Sequence, residues 1–329
     1  MSIALNAYLK PLRSFLDLPL VSELCINKPG ELWLEESGTF TQVLVPELTE
    51  NHLRFLADLI AEDNHKNLSQ TKPLLSATLP SGERCQFVLP PACEKGQIIC
   101  SIRKPSVADL TLSDWALNGA FDSIKTRQKQ RLNQRNTRLN QLMQEGRWEE
   151  LLALAVRARC NIIISGGTST AKTTLLNSCL KELNAHERLI TIEGVREVKT
   201  TLENRVHLLA NEDEDHPLSA SMLDLLKVCF RLRPDRIFLS ELRAREAYPY
   251  LRACISGHPG SLTTVHADSI ASAKEQLCFM LSESPELSGA GEVRLRSLIQ
   301  TSIQVFVQMT RDEHGARLIE DIELEGVVP

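Results

Sequence analysis

The sequence predicts an α/β protein with an N-terminal α+β sheet domain over residues 1–105, a basic linker over 106–150 and a C-terminal domain with a mainly parallel sheet over 151–329. Three observations carry this. At 329 residues the chain is too long for one ordinary core and suits two. Its first hundred residues are short alternating runs separated by turn pairs, the pattern of a sheet with few helices. Its last part alternates apolar strands with helical patterns, which builds a parallel sheet covered on its faces.

In the first domain, "SELCINKPGELWLEE" gives two strands around Pro29-Gly30, and "ATLPSGERCQFVLP" gives two around Ser81-Gly82. Between them, Leu53, Leu56, Leu59 and Ile60 fall at helical spacing from Thr49 to Asn64, behind a threonine suited to capping. "GQIICSIRKP" supplies a last strand that Pro105 ends. The linker follows. Lys125 to Arg138 holds six Lys or Arg and no acid, with too little apolar content to bury. This reads as an exposed, partly helical segment that either stays solvated or meets acidic lipid head groups or a neighbouring subunit.

In the last domain "NIIIS", "RLITIEG", "RIFLSE" and "SLTTVHA" are buried strands, and "TTLLNSCLKELN" is a helix. "SIASAKEQLCFML" is another helix, with Ile270, Ala273, Leu277, Met280 and Leu281 on one face. Hydrophobic residues at 43% and charged residues at 24% exclude a disordered chain. A net charge of -5 argues against bulk nucleic-acid affinity. The nine cysteines form no C-x-x-C pair, so they read as reduced and mostly buried. No basic region precedes an apolar run at the start and no 18 apolar residues run together, so the expected location is the cytoplasm, with any membrane contact peripheral.

The chemistry sits at "IIISGGTSTAKTTLLN". A strand, a small-residue turn and a Lys-Thr pair opening a helix are the parts of a phosphate-binding loop, in which backbone N–H groups and a helix N-terminus surround an anion. Gly166, Lys172 and Thr173 fit the pattern G-x-x-x-x-G-K-[ST], and Gly167, Thr168, Ser169, Thr170 and Thr174 complete the loop. Ala171 departs from it, because a Cβ there costs on the order of 1 kcal/mol where φ is positive. "RIFLSELR" delivers Glu241 at a strand end, where a carboxylate serves magnesium or its water. "RLITIEGVREV" delivers Glu193 and Glu197, either of which suits orienting an attacking water. Taken singly, each acid is more often a solvated strand end.

"RLRPDRIFLSELRAREAYPYLRACISGHPGSLTTVHADS", from Arg231 to Ser269, resembles the hexameric traffic ATPases of bacterial type IV secretion systems, within the wider type II/IV secretion ATPase family. "RPDRI", the histidine-containing "GHPGSLTTVHAD" and the loop's "GGT" with "KTT" match that family's pattern, as do "CINKPGELWLE", "LPSGERCQFVLPP" and "SIRKPS" in the first domain. The resemblance implies a RecA-like P-loop domain that binds ATP and Mg2+, with Lys172 on the β- and γ-phosphates and Thr173 and Glu241 at the metal. It implies that Glu193 and Glu197 are acidic-box carboxylates and His266 a γ-phosphate sensor. It also implies that Arg84 and Arg103 reach the nucleotide from the first domain. His266 as a core histidine and the two arginines as surface residues are the plain alternatives.

Four positions depart from the family's pattern: Ser169 and Ala171 for loop glycines, Gly194 after Glu193 and Ser240 before Glu241. The expected protein is therefore an active but slow ATPase, a homo-hexamer serving inner-membrane secretion machinery. The rivals are a nucleotide-binding ring without hydrolysis and a nucleic-acid translocase, the latter disfavoured by the charge and by the lack of aromatics among the basic residues.

Overall fold

Leu5, Leu9, Leu12 and Leu16 recur at helical spacing and are all buried, which makes the first element a helix, α1 (Ile3–Leu16), despite Pro11 inside it. The computed structural model describes residues 3–105, 110–122, 126–211 and 220–326, with side chains omitted over 126–131. Six strands follow α1 into one antiparallel sheet: β1 (Val21–Ile26), β2 (Glu31–Glu36), β3 (Thr39–Leu44), β4 (Leu74–Thr78), β5 (Arg84–Val88) and β6 (Ile99–Arg103). Their order is β3-β2-β1-β6-β5-β4. The helix expected between its halves is α2 (Glu50–Asp63), and the Thr49 hydroxyl accepts the His52 N–H at 3.2 Å as its cap. α1 and β3 were not among the expected elements. Pro11 breaks the first pattern, and along β3 only Phe40 is buried, so no alternation marks that edge strand.

The connection is not exposed throughout, as the composition suggested. The short α3 (Leu112–Leu117) buries nothing, but α4 (Thr126–Gln144) places Leu139 and Leu142 in a core with Leu151 and Leu152 of α5 (Trp148–Arg157). Leucines three apart near the end of α4 give that segment the apolar face its first half lacks. Of the basic run, Lys125 lies outside the described residues, and so do the side chains of Arg127, Lys129 and Arg131.

The second sheet holds β7 (Ile162–Gly166), β8 (Leu189–Glu193), β9 (Arg205–Leu209), β10 (Arg236–Leu239), β11 (Leu262–Val265), β12 (Val305–Arg311) and β13 (Arg317–Leu324). Its order is β13-β12-β7-β11-β10-β8-β9, parallel except for the β12–β13 hairpin. Helices α6 (Lys172–Leu180), α7 (Met222–Cys229), α8 (Ala247–Ile255), α9 (Ile270–Ser282) and α10 (Glu292–Ser302) accompany it. Ile163, Ile190 and Phe306 face one apolar cluster, while Ile162, Ile164 and Phe238 face another. Covered on both faces, the central strands carry the near-continuous apolar runs that made them legible.

The two sheets are joined by buried contacts. Val88, Ala92, Cys93 and Ile99 enter a core of the second sheet, and the Leu209 N–H donates to the Ala92 carbonyl at 2.9 Å on the edge of β9. The fully buried Arg188 donates to Asn27 at 2.6 Å, to Asn204 at 2.5 Å and to the Leu232 carbonyl at 2.9 Å. A lone guanidinium buried there holds its place only while both sides supply acceptors. All nine cysteines are free and buried. Among the described residues no helix is long and apolar enough to cross a membrane.

Candidate phosphate-binding site

The loop leaves β7 at Gly166, whose backbone lies so close to β12 that an added Cβ would meet the Met309 carbonyl oxygen at 2.6 Å. Only glycine fits. Ser169 and Ala171, the two residues standing where glycine was expected, both have left-handed backbone, with φ of 62° and 71°. Ala171 is the N-cap of α6, so the strained residue directly precedes Lys172. Left-handed residues in a turn before a helix N-terminus belong to the geometry in which N–H groups converge on an anion.

A cavity of about 670 Å³ opens over this loop, lined by Thr168 to Thr174 and by Glu197, Glu241, Arg243, His266 and Arg317. Lys172 Nζ donates to the Gly166 and Gly167 carbonyls at 2.7 and 2.8 Å and lies 3.4 Å from His266 Nδ1. The far side of that ring, Nε2, is 3.2 Å from Glu241 Oε1. An ammonium only donates, so Nδ1 accepts and Nε2 carries the proton toward Glu241. Burial pushes the Lys172 ammonium below the usual lysine value, and the Glu241 carboxylate offsets this only in part. Glu241 also takes Arg243, at 3.0 Å from Nη2.

The two acids after β8 separate sharply. Glu197 is exposed and accepts the Thr173 hydroxyl at 3.1 Å, inside the cavity. Glu193 is fully buried and does not line it. Glu193 instead accepts the Glu197 and Val198 N–H groups at 2.8 and 2.7 Å and the Thr191 hydroxyl at 2.7 Å. Burial pushes its carboxyl up, but the His207 ring 3.7 Å away and hydrogen bonds from the Val198 N–H, Thr191 and the Glu197 N–H together outweigh that, leaving it below the usual carboxylate value. It acts as a template for the turn.

Arg84 and Arg103 are not at the loop. They are cross-strand partners on β5 and β6, both exposed, in a different cavity of about 550 Å³ that shares no lining residue with the first. Lys66, Arg231 and Arg233 stand with them there, opposite Glu23.

Two cavity cations escaped the sequence reading. Arg243 lies two residues past Glu241, just beyond β10, so its proximity was a signal to hand. Arg317 begins β13 and donates to the Ser169 carbonyl at 3.3 Å, and nothing local in the sequence points to it. Only the return of the hairpin brings it to the loop.

The donor set fits a nucleotide and its metal. A phosphate loop, a lysine among its carbonyls, a threonine hydroxyl and two accessible carboxylates suit a hydrated Mg2+ carried on phosphates rather than a closed protein cage. Among the described residues no cluster of three metal-ligating side chains forms such a cage.

The profile of the family described as "Type II/IV secretion system protein" matches residues 9–316. The type IV secretion system protein VirB11 of Brucella suis biovar 1 (strain 1330) is 37% identical over 316 residues, covering 94% of this chain and 87% of the relative. The type IV secretion system protein PtlH of Bordetella pertussis (strain Tohama I) is 34% identical over 322 residues, covering 95% and 93%. The crystal structure of the VirB11 ATPase from the Brucella suis type IV secretion system, in complex with sulphate, superposes with a TM-score of 0.90 at 34% identity over 98% of each chain. With the loop, the acids after β8 and β10 and the histidine after β11 in the order that the motifs require, the chain belongs to the type II/IV secretion system protein family.

Proposed function

We propose that this chain is an ATP-hydrolysing motor of a bacterial type IV secretion or conjugation machine, working as a homo-hexameric ring at the cytoplasmic face of the inner membrane to power assembly or substrate transfer. The observation that carries the reading is one cavity in which the loop lysine reaches His266, His266 reaches Glu241, and Thr173 reaches Glu197. In that arrangement Lys172 gives up its carbonyl partners for the β- and γ-phosphates, and the loop N–H groups hold the rest of the anion. Thr173 and Glu241 would hold Mg2+, which when bound neutralises charge on the phosphates. The Thr173 hydroxyl donates to Glu197, which keeps that carboxylate beside the site, where it orients the attacking water as general base. His266, between Lys172 and Glu241, senses the γ-phosphate through the lysine.

Arg84 and Arg103 enter from another copy. The first sheet is fixed to its own second sheet through Arg188, Ala92 and Cys93, so swinging it over its own loop would break a buried interface. In a ring, the neighbour's loop meets these arginines, and turnover is then coupled to movement between copies. The basic run from Lys125 to Arg138 is the element that would touch acidic lipids.

The rival is a ring that binds nucleotide without hydrolysis, favoured by the strained loop at Ser169 and Ala171. Phosphate release under saturating ATP and Mg2+ decides between them, with Lys172→Ala as control. The expected result is steady release by the parent, lowered about a hundredfold or more in the variant at an unchanged thermal midpoint. ATP binding without release favours the scaffold, and equal release by parent and variant removes this loop as the site.

A further inference from the structure

Glu197 owes its place to a carboxylate that never reaches the cavity. Glu193 Oε2 gathers the N–H groups of Glu197 and Val198, which closes the turn and points the Glu197 side chain toward Thr173. What holds Glu193 is a chain of side chains from β8, the turn and β9. Thr191 donates its hydroxyl to Glu193 Oε1 at 2.7 Å, and that hydroxyl oxygen lies 2.7 Å from His207 Nδ1. Arg196 donates to Glu193 Oε1 at 3.1 Å and places its other terminal nitrogen 2.6 Å from His207 Nε2.

These contacts fix the tautomer. A guanidinium has no lone pair to offer, so Nε2 accepts, and with the Thr191 proton spent on Glu193, Nδ1 donates. His207 is 4% exposed on β9, while Arg196 at the surface also donates to Glu94 at 3.3 Å and to the Val198 carbonyl. A buried imidazole that accepts on one side and donates on the other is the keystone between the arginine and the threonine. The β8–β9 register sets Thr191 beside His207, and the two ring nitrogens then tie Arg196 to Thr191.

We propose that His207 is a positioning residue for ATP hydrolysis, acting through Arg196, Thr191 and Glu193 to fix the turn that carries Glu197. The proposal rests on the reading of Glu197 as the residue that orients water. His207 touches neither the loop nor the cavity, so its loss alters where Glu197 sits and not how phosphates are held. The effect falls on kcat rather than on KM.

Four variants test this: Glu197→Gln, His207→Leu, His207→Gln, and His207→Leu combined with Glu197→Gln. Glu197→Gln is expected to lower kcat about a hundredfold. His207→Leu is expected to lower kcat about tenfold with KM for ATP within about twofold, since a displaced carboxylate keeps part of its effect. His207→Gln keeps an acceptor for Arg196 and is expected to recover kcat to within about threefold of the parent. The double variant is expected to match Glu197→Gln alone within about twofold, because His207 acts only through that carboxylate. Parental kcat in His207→Leu beside a disabled Glu197→Gln overturns the proposal and leaves the reading of Glu197 standing. Multiplying losses in the double variant, or no recovery in a folded His207→Gln, also overturn it. Parental kcat in Glu197→Gln removes the reading itself and the proposal with it. Should His207→Leu fail to fold, Arg196→Gln at the partly exposed end of the chain carries the same expectations.

Discussion

Two polar cavities of this molecule share no lining residue, and each has what the other lacks. The cavity over the phosphate loop offers a backbone cradle, Lys172 and the carboxylates Glu197 and Glu241. The cavity between the sheets is lined by Lys66, Arg84, Arg103, Arg231 and Arg233 with Glu23, and Arg233 there is already paired with Asp235 at 2.8 Å. The first has the groups that suit phosphates and a metal, and the second has positive charge of the kind that phosphoryl transfer uses. On the proposed reading, assembly brings the loop cavity of one copy to the arginines of another, and turnover then requires the ring.

The sharpest way to break that comparison is to separate the halves genetically. Arg84→Ala and Arg103→Ala are each expected to lower ATP turnover about tenfold or more, although neither residue lines the loop cavity. Mixing the Arg84→Ala, Arg103→Ala double variant with Lys172→Ala should then restore turnover to roughly a quarter of parental, the chance that random neighbours each contribute one intact half. No recovery on mixing means that the arginines serve their own chain or none. Parental rates in both single variants end the role of the second cavity.

A smaller effect sharpens the contrast inside the loop cavity. Glu193 and Glu197 look equivalent in sequence, yet one is a buried template and the other faces the site. Glu193→Gln turns an amide N–H₂ toward donors that the carboxylate now accepts, and is expected to cost about 2 kcal/mol of stability at pH 7. Its folded value lies below the usual one, so the native state binds fewer protons than the unfolded state between the two values. The stability from Glu193 is therefore complete above roughly pH 4.3, the unfolded value, and is lost as pH falls through the lower folded one. Thermal midpoints measured from pH 7 down to 3.5 should fall more steeply in the parent than in Glu193→Gln. Parallel curves sink the template assignment.

What the sequence showed and hid follows from how local each feature is. The loop and Glu241 were legible because each follows a short buried strand, Ile162–Gly166 and Arg236–Leu239, while His266 after Leu262–Val265 was named only through the resemblance to the family. Glu193 and Glu197 could not be ranked, since burial depends on the Thr191, Arg196 and His207 side chains that the fold brings around one of them. Arg317 was hidden because a hairpin partner over a hundred residues from the loop delivers it. The placement of Arg84 and Arg103 depends on how two sheets dock, which alternation along a strand does not encode.

The smallest effect concerns Ala171, where strain was expected to weaken nucleotide binding. Its φ of 71° and ψ of 31° lie in the left-handed region, where a Cβ costs about 1 kcal/mol. That cost belongs to the folded chain as it stands, before any ligand enters the account, so it lowers affinity only to the extent that binding changes the dihedrals. Ala171→Gly removes the Cβ penalty but frees the unfolded backbone, which takes back about 0.4–1 kcal/mol. The net change is then between zero and about 0.6 kcal/mol, a rise in thermal midpoint of no more than about 2 °C for a chain of this size. The KM for ATP should stay within about twofold. A fivefold gain in affinity at an unchanged midpoint means instead that the nucleotide drives this turn further into a conformation only glycine takes easily, and that Ala171 slows the motor by resisting it.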